Sequence, residues 1–197
     1  MRQAQIAFTP GPYPDLDESP YQHLPPRDAV VLLACAKARA ALPRLDEGDW
    51  RVLAADTLVA LEDPNGVARA LGQPTDAADA RRMLRSLSGR AHQVHSGVAL
   101  AVRDAAARWW LQSAEATTTI RFRDLTAGEI DAYVATGEPL DKAGAYALQG
   151  GAAAFVAARD GEQDTVIGLP VSLVRDLLAW SDAVCDGPGR TGRPPNR

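Results

Sequence analysis

Lysine is what this 197-residue chain most lacks. Of its 21 basic side chains only Lys37 and Lys142 are lysines; the others are all arginines. Chance survival explains two lysines as well as any need for a compact, rotatable ammonium does. The place of Lys142, in a charged and glycine-rich loop, turns the reading toward function. Cysteine is equally scarce: Cys35 and Cys185 lie far apart and in no metal-ligand spacing. With no export signal in "MRQAQIAFTP", they read as reduced thiols in a cytosolic protein. No apolar run is long enough to span a bilayer as a helix. Excess positive charge is missing too; the formal net charge of −4 argues against broad binding to nucleic acid.

What is present is ordinary globular material, 46% hydrophobic and 23% charged, in a chain long enough to bury a core. The expected layout mixes helices and strands. "QAQIAFTP" reads as a short strand, followed by a Pro- and acid-rich loop. "RDAVVLLACAKARAAL" has apolar residues at helical spacing, and "WRVLAADTLVALE" is a strand with the character of buried sheet. "TDAADARRMLRSL" is an amphipathic helix with Thr75 as its N-cap and Gly89 closing it. Two long strands, "AHQVHSGVALAVRD" and "RWWLQSAEATTTIRFRDL", form a hairpin around Asp104 to Ala107. A capping box from Thr126 to Glu129 opens a short helix. "AAAFVAARDGEQDTVIGLP" reads as a hairpin turning near Asp160 and Gly161, and "VSLVRDLLAW" as the last helix. Residues 1–185 form one domain, and 186–197, without an apolar face, a disordered tail.

Asp56 stands out among the candidate residues. A carboxylate inside an apolar strand is costly unless it pairs, binds a metal or sits at the strand's mouth. It reads either as a strand-end cap or as a general base or metal-binding acid, with the Thr57 hydroxyl facing the other way. Asp17 and Glu18 are a loop pair that, with Asp56, can hold a hard divalent cation; the plainer reading is solvated surface acids. Lys37 is either a snorkelling lysine or a functional one. His92 and His95 lie three apart on a strand and point to opposite faces, so they do not chelate together; Trp109 and Trp110 also diverge. The loop "LDKAGAYALQG" joins an acid-base pair, an exposed-looking Tyr146 and the amide of Gln149. It reads as an anion-handling turn, with Lys142 toward phosphate and Gln149 toward a nucleobase edge.

The blocks "AADT", "LSGRAHQVHSGVAL", "TTTIRFRDLTAGEIDAYVATGEPLDKAGAYALQG" and "VIGLPVSLVRDLL" closely resemble the Maf family of nucleoside triphosphate pyrophosphatases. They occur in the family's order, and the likeness runs from about "LDESP" through the last helix. The loop looks like the dTTP/UTP branch. The resemblance implies an α/β fold related to inosine-triphosphate pyrophosphatases, with a long twisted mixed sheet and two lobes around a central cleft. It implies cleavage of a nucleoside triphosphate, dTTP or UTP, between the α and β phosphates, with Mg or Mn as divalent cofactor, in the cytoplasm. Asp56 matches the family's proton acceptor; the metal site expected from the residues themselves is Glu18 with Asp56. Thr57 and Gln149 match positions tied to base selection, and Lys37, Glu18 and Lys142 match charged positions lining the cleft. The expected partner is the nucleotide, not nucleic acid or membrane, with a homodimer as a further expectation.

Three departures are visible. Family members begin with a strand and a Ser-Pro-Arg-Arg turn, whereas this chain starts after that segment. Gln73 stands where the family usually has lysine, and Ala36 where an acid commonly precedes the helix lysine. Two accounts are open: a start assigned too far downstream, or a degenerate, weakly active or inactive member that binds nucleotide in a regulatory role.

Overall fold

The computed structural model describes residues 6–11, 15–45 and 47–185. Three long strands form its frame: β1 (Trp50–Glu62), β3 (Ala91–Arg103) and β4 (Trp109–Phe122). Two short ones, β2 (Ala68–Leu71) and β5 (Val156–Asp160), complete a sheet of order β2-β1-β3-β4-β5. The α/β character is as expected, but every described pairing is antiparallel rather than mixed. The expected first strand is the other difference. Residues 3–5 of it fall outside the described residues, and residues 6–10 carry no regular element. The tail at 186–197 also lies outside the described residues.

The β3–β4 hairpin closes through Asp104, whose Oδ1 accepts the backbone N–H groups of Ala106 and Arg108 at 3.0 and 2.9 Å. Its Oδ2 binds the Arg108 guanidinium at 2.7 Å. An Asp holding its own turn in this way is the local reason the chain reverses there.

Strand alternation gives the sheet two different faces. Helix α1 (Pro26–Ala41) begins on a proline, which needs no N–H partner at that position. It lays Ala34 and Ala38 against Ala99, Ala101 and Val52. Small side chains allow a close approach, and Gly97 makes it closer still: a Cβ there would fall 2.3 Å from the Val30 carbonyl oxygen. On the opposite face the core divides in two. At one end α2 (Ala77–Leu87) and α3 (Ala127–Ala135) cover Val59, Leu61, Val94, Ile120 and Phe122. At the other, α5 (Val171–Cys185) covers Val98, Leu100 and Val102 through Val174 and Leu177.

Details of the helices depart from expectation in two places. The N-cap of α2 is Asp76, whose Oδ1 accepts the Asp79 N–H at 2.8 Å; Thr75 sits one residue earlier and donates its own N–H to Asp79. Gly89 follows α2 with φ +68°, and the capping box of α3 is complete. The hairpin expected at Asp160 and Gly161 does not form. Its second half is a short helix, α4 (Gln163–Ile167). Hydrogen bonds override the local β preference there: the Thr165 carbonyl accepts the distant Ser96 hydroxyl at 2.6 Å, and Asp164 accepts the Val171 N–H at 2.8 Å.

Candidate active site

Lys37 on α1 and Asp56 on β1 face each other across the helix–sheet contact. Lys37 Nζ lies 2.5 Å from Asp56 Oδ1 and 2.8 Å from Glu18 Oε1. The lysine is 12% exposed and Asp56 10%, so this is a largely buried ion pair with Glu18 closing its outer side. Burial pushes the Asp56 carboxyl above its ordinary range, against the pull of Lys37. Burial acts the other way on Lys37, but hydrogen bonds to Asp56 and Glu18 and both negative charges outweigh it and raise its pKa. Asp56 Oδ2 is buried with no hydrogen-bond partner among the described residues. A buried carboxylate oxygen without a partner is the part of this cluster available for chemistry.

Glu18 and Asp17, expected as a pair, have separate tasks. Asp17 Oδ1 accepts the Ser19 N–H at 2.9 Å and holds the turn Ser19–Tyr21, which leaves Glu18 to reach Lys37. Thr57 points away from Asp56, as alternation requires. Its Oγ1 is 2.7 Å from Ser96 Oγ, which in turn bonds Thr165.

The loop 140–151 lies elsewhere on the sheet. Gly144, at φ +68°, packs its backbone against Val59, where a Cβ would fall 2.9 Å from the valine side chain. Val59 shares the face of Thr57, not that of Asp56. Lys142 Nζ pairs with Asp141 Oδ1 at 2.6 Å, and the Gln73 amide donates to the Asp141 carbonyl at 3.1 Å. Gln149 is exposed at the following turn. Tyr146 is not exposed as expected. It is 5% accessible, packed against Phe122, with its hydroxyl 2.9 Å from His92 Nε2. Burial lowers the His92 pKa to about 4, with the Arg90 carbonyl opposing.

Two groups escaped the sequence reading. Glu138 holds the Gln149 loop: its carboxylate accepts the Gly151 N–H and the Tyr133 hydroxyl, each at 3.2 Å, while that hydroxyl accepts the Ala147 N–H at 3.0 Å. Glu115 lies across Gly97 from Asp56 on the α1 face of the sheet. It binds Arg27 at 2.8 Å and His95 Nδ1 at 3.2 Å. A second acid inside a long strand was the available signal, of the same kind that singled out Asp56. As expected, His92 and His95 occupy opposite faces.

An α/β protein with a buried lysine bridging two carboxylates is what fold and site define together. Residues 1–180 match the family described as Maf-like protein. The chain is 50% identical over 164 residues to a dTTP/UTP pyrophosphatase of Moorella thermoacetica, covering 83% of this chain and 79% of that one. It is 45% identical over 167 residues to a dTTP/UTP pyrophosphatase of Shewanella oneidensis, covering 84% and 81%. A third, from Anaeromyxobacter sp. strain Fw109-5, is 45% identical over 175 residues, covering 88% and 80%. The chain belongs to the Maf-like protein family.

Proposed function

We propose that this protein hydrolyses nucleoside triphosphates, dTTP and UTP, between the α and β phosphates, giving nucleoside monophosphate and pyrophosphate. The observation that carries the reading is the Glu18–Lys37–Asp56 cluster with its unpartnered Asp56 Oδ2. The names of the relatives support the substrate class. Asp56 orients or deprotonates the attacking water through Oδ2. Lys37 and Lys142 offset phosphate charge, and the exposed amide of Gln149 reads the base edge. Thr57 contributes to base choice by positioning, through the Ser96–Thr165 chain.

The residues present fit a divalent cation, Mg or Mn. Asp56 Oδ1 and Glu18 Oε1, the two oxygens that Lys37 holds together, are hard oxygen ligands. Among the described residues no group of three or more His, Cys, Asp and Glu is placed to hold a metal. Phosphate and water oxygens would therefore supply the remaining positions, as suits Mg²⁺. When bound, the cation would neutralise triphosphate charge and lower the pKa of a bound water. The reading includes work in the cytoplasm on free nucleotides rather than nucleic acid, with a homodimer as the state to look for by sedimentation. No helix among the described residues is long and apolar enough to cross a membrane.

Pyrophosphate release from dTTP, UTP, ATP and GTP tests the reading, with the pyrimidine substrates expected to be preferred. Equal rates for all four would remove the base preference, and no release from any would remove the hydrolase. A second reading, a regulatory protein that binds nucleotide without turnover, draws on Gln73, whose amide is engaged by Asp141 and brings no charge. Binding of dTTP without pyrophosphate release would favour it.

A further inference from the structure

Lys37 occupies a place that two ligands want. Its Nζ touches one oxygen from Glu18, in the loop before α1, and one from Asp56, in the middle of β1. Those are the two carboxylates that fit a divalent cation. An ammonium and a divalent cation cannot share that position, because their charges repel at contact distance in a largely buried site. We propose that Lys37 is an internal stand-in for the metal: it fills the cation position in the protein without nucleotide and yields it when the triphosphate arrives. The inference rests on the metal reading above and adds an order of events to it, in which the cation enters with the nucleotide and not before.

Three further observations support this. The charges of Glu18 and Asp56 exceed that of Lys37 by one, so the ammonium leaves the cluster net negative without saturating it. Asp56 Oδ2 remains buried and unpartnered beside it, an oxygen that the ammonium leaves unused. The identity of the residue also matters in a chain with only two lysines among its 21 basic residues. A guanidinium between two carboxylates would hold them in a planar, forked geometry. An ammonium on a four-carbon stem makes point contacts and can swing away. Phosphate oxygens of the incoming triphosphate would give Nζ its new partners, leaving the carboxylates to the cation.

The test is binding of Mn²⁺ alone, read from the spectroscopic signal of the unbound ion, with no turnover involved. Wild-type protein should bind Mn²⁺ weakly on its own, and tightly with a dTTP analogue whose α and β phosphates are joined through an imido bridge. Lys37→Met should bind Mn²⁺ alone at least about tenfold more tightly than wild type. Adding Asp56→Asn to that variant should abolish the gain. Lys37→Gln is a second neutral variant in case the first folds poorly, and the rise in Tm that Mn²⁺ causes in each gives the same ranking by mass action. If wild type takes Mn²⁺ with the analogue but neither lysine variant binds it more tightly alone, the stand-in role is wrong and the metal reading survives. Tight binding of Mn²⁺ by wild type without nucleotide would also overturn the inference. Should no protein bind Mn²⁺ under any condition, the metal reading itself fails and takes this inference with it.

Discussion

Asp56 and Lys37 depend on each other, and that dependence separates the two lysines in what their loss should do. Lys37→Ala leaves a largely buried carboxylate without its cation, which costs about 3–5 kcal/mol when such a pair is broken. Lys142 is 41% exposed and pairs only weakly with the exposed Asp141, so Lys142→Ala should cost less than about 1 kcal/mol of stability. Both should weaken triphosphate binding more than nucleoside binding, since a charge-assisted contact is worth roughly 1.5–3 kcal/mol. Isothermal titration with dTTP and thymidine measures this; equal losses for the two ligands would mean the lysines act only through structure. His92 gives a prediction in pH. Its folded pKa is depressed to about 4, below the ordinary 6.5, so between these values the unfolded chain binds the extra proton. Stability is therefore full above about pH 6.5 and is lost as pH falls toward 4, by about 3 kcal/mol in all. Denaturant melts at pH 7 and pH 4.5 should show the loss in wild type and a smaller one in His92→Gln. An identical loss in both would assign the effect to other groups.

At the scale of elements, the seat of α1 on the sheet decides where Lys37 ends up. Gly97 lies opposite Asp56 in the ladder, beneath the Val30 carbonyl. Gly97→Ala should push the helix outward, cost about 1–3 kcal/mol by overpacking, and lower turnover by drawing Lys37 away from Asp56. Unchanged melting and turnover would show that α1 is not held by that contact. The same scale shows which parts of the fold were legible in the sequence. The β3–β4 hairpin and the capping box of α3 were, because Asp104 and the Thr126–Glu129 pair act within a few residues of themselves. The strand around Asp56 was legible from its apolar run. Helix α4 was not, because the Ser96 hydroxyl holds it from far along the chain. Tyr146 misled for the same reason: its burial depends on His92 and Phe122, more than twenty residues away. Asp56 and Lys37, which the structure pairs, were visible as an acid in an apolar strand and a rare lysine; Glu115 carried the same strand signal, whereas Glu138 acts through Tyr133 and Gly151, which no local pattern reveals.

For the whole molecule, binding and stability are linked. A nucleotide that binds the folded protein and not the unfolded chain stabilises the fold by mass action. At a hundredfold excess over Kd it should stabilise the fold by about 2.7 kcal/mol, a rise in Tm of roughly 5–10 °C for a chain of this size. Thermal melts with dTTP and Mg²⁺ check this, and no rise would mean that the nucleotide does not bind the folded protein. The central claim is narrower: the carboxylate of Asp56 performs hydrolysis at the α–β bond. Its most direct test is product analysis of dTTP turnover by wild type and Asp56→Asn, with circular dichroism confirming that both are folded. The account predicts dTMP and pyrophosphate in equal amounts from wild type, and a rate about 10²–10⁴ lower from the variant. Orthophosphate and dTDP as products, or an undiminished rate in the folded variant, would contradict it.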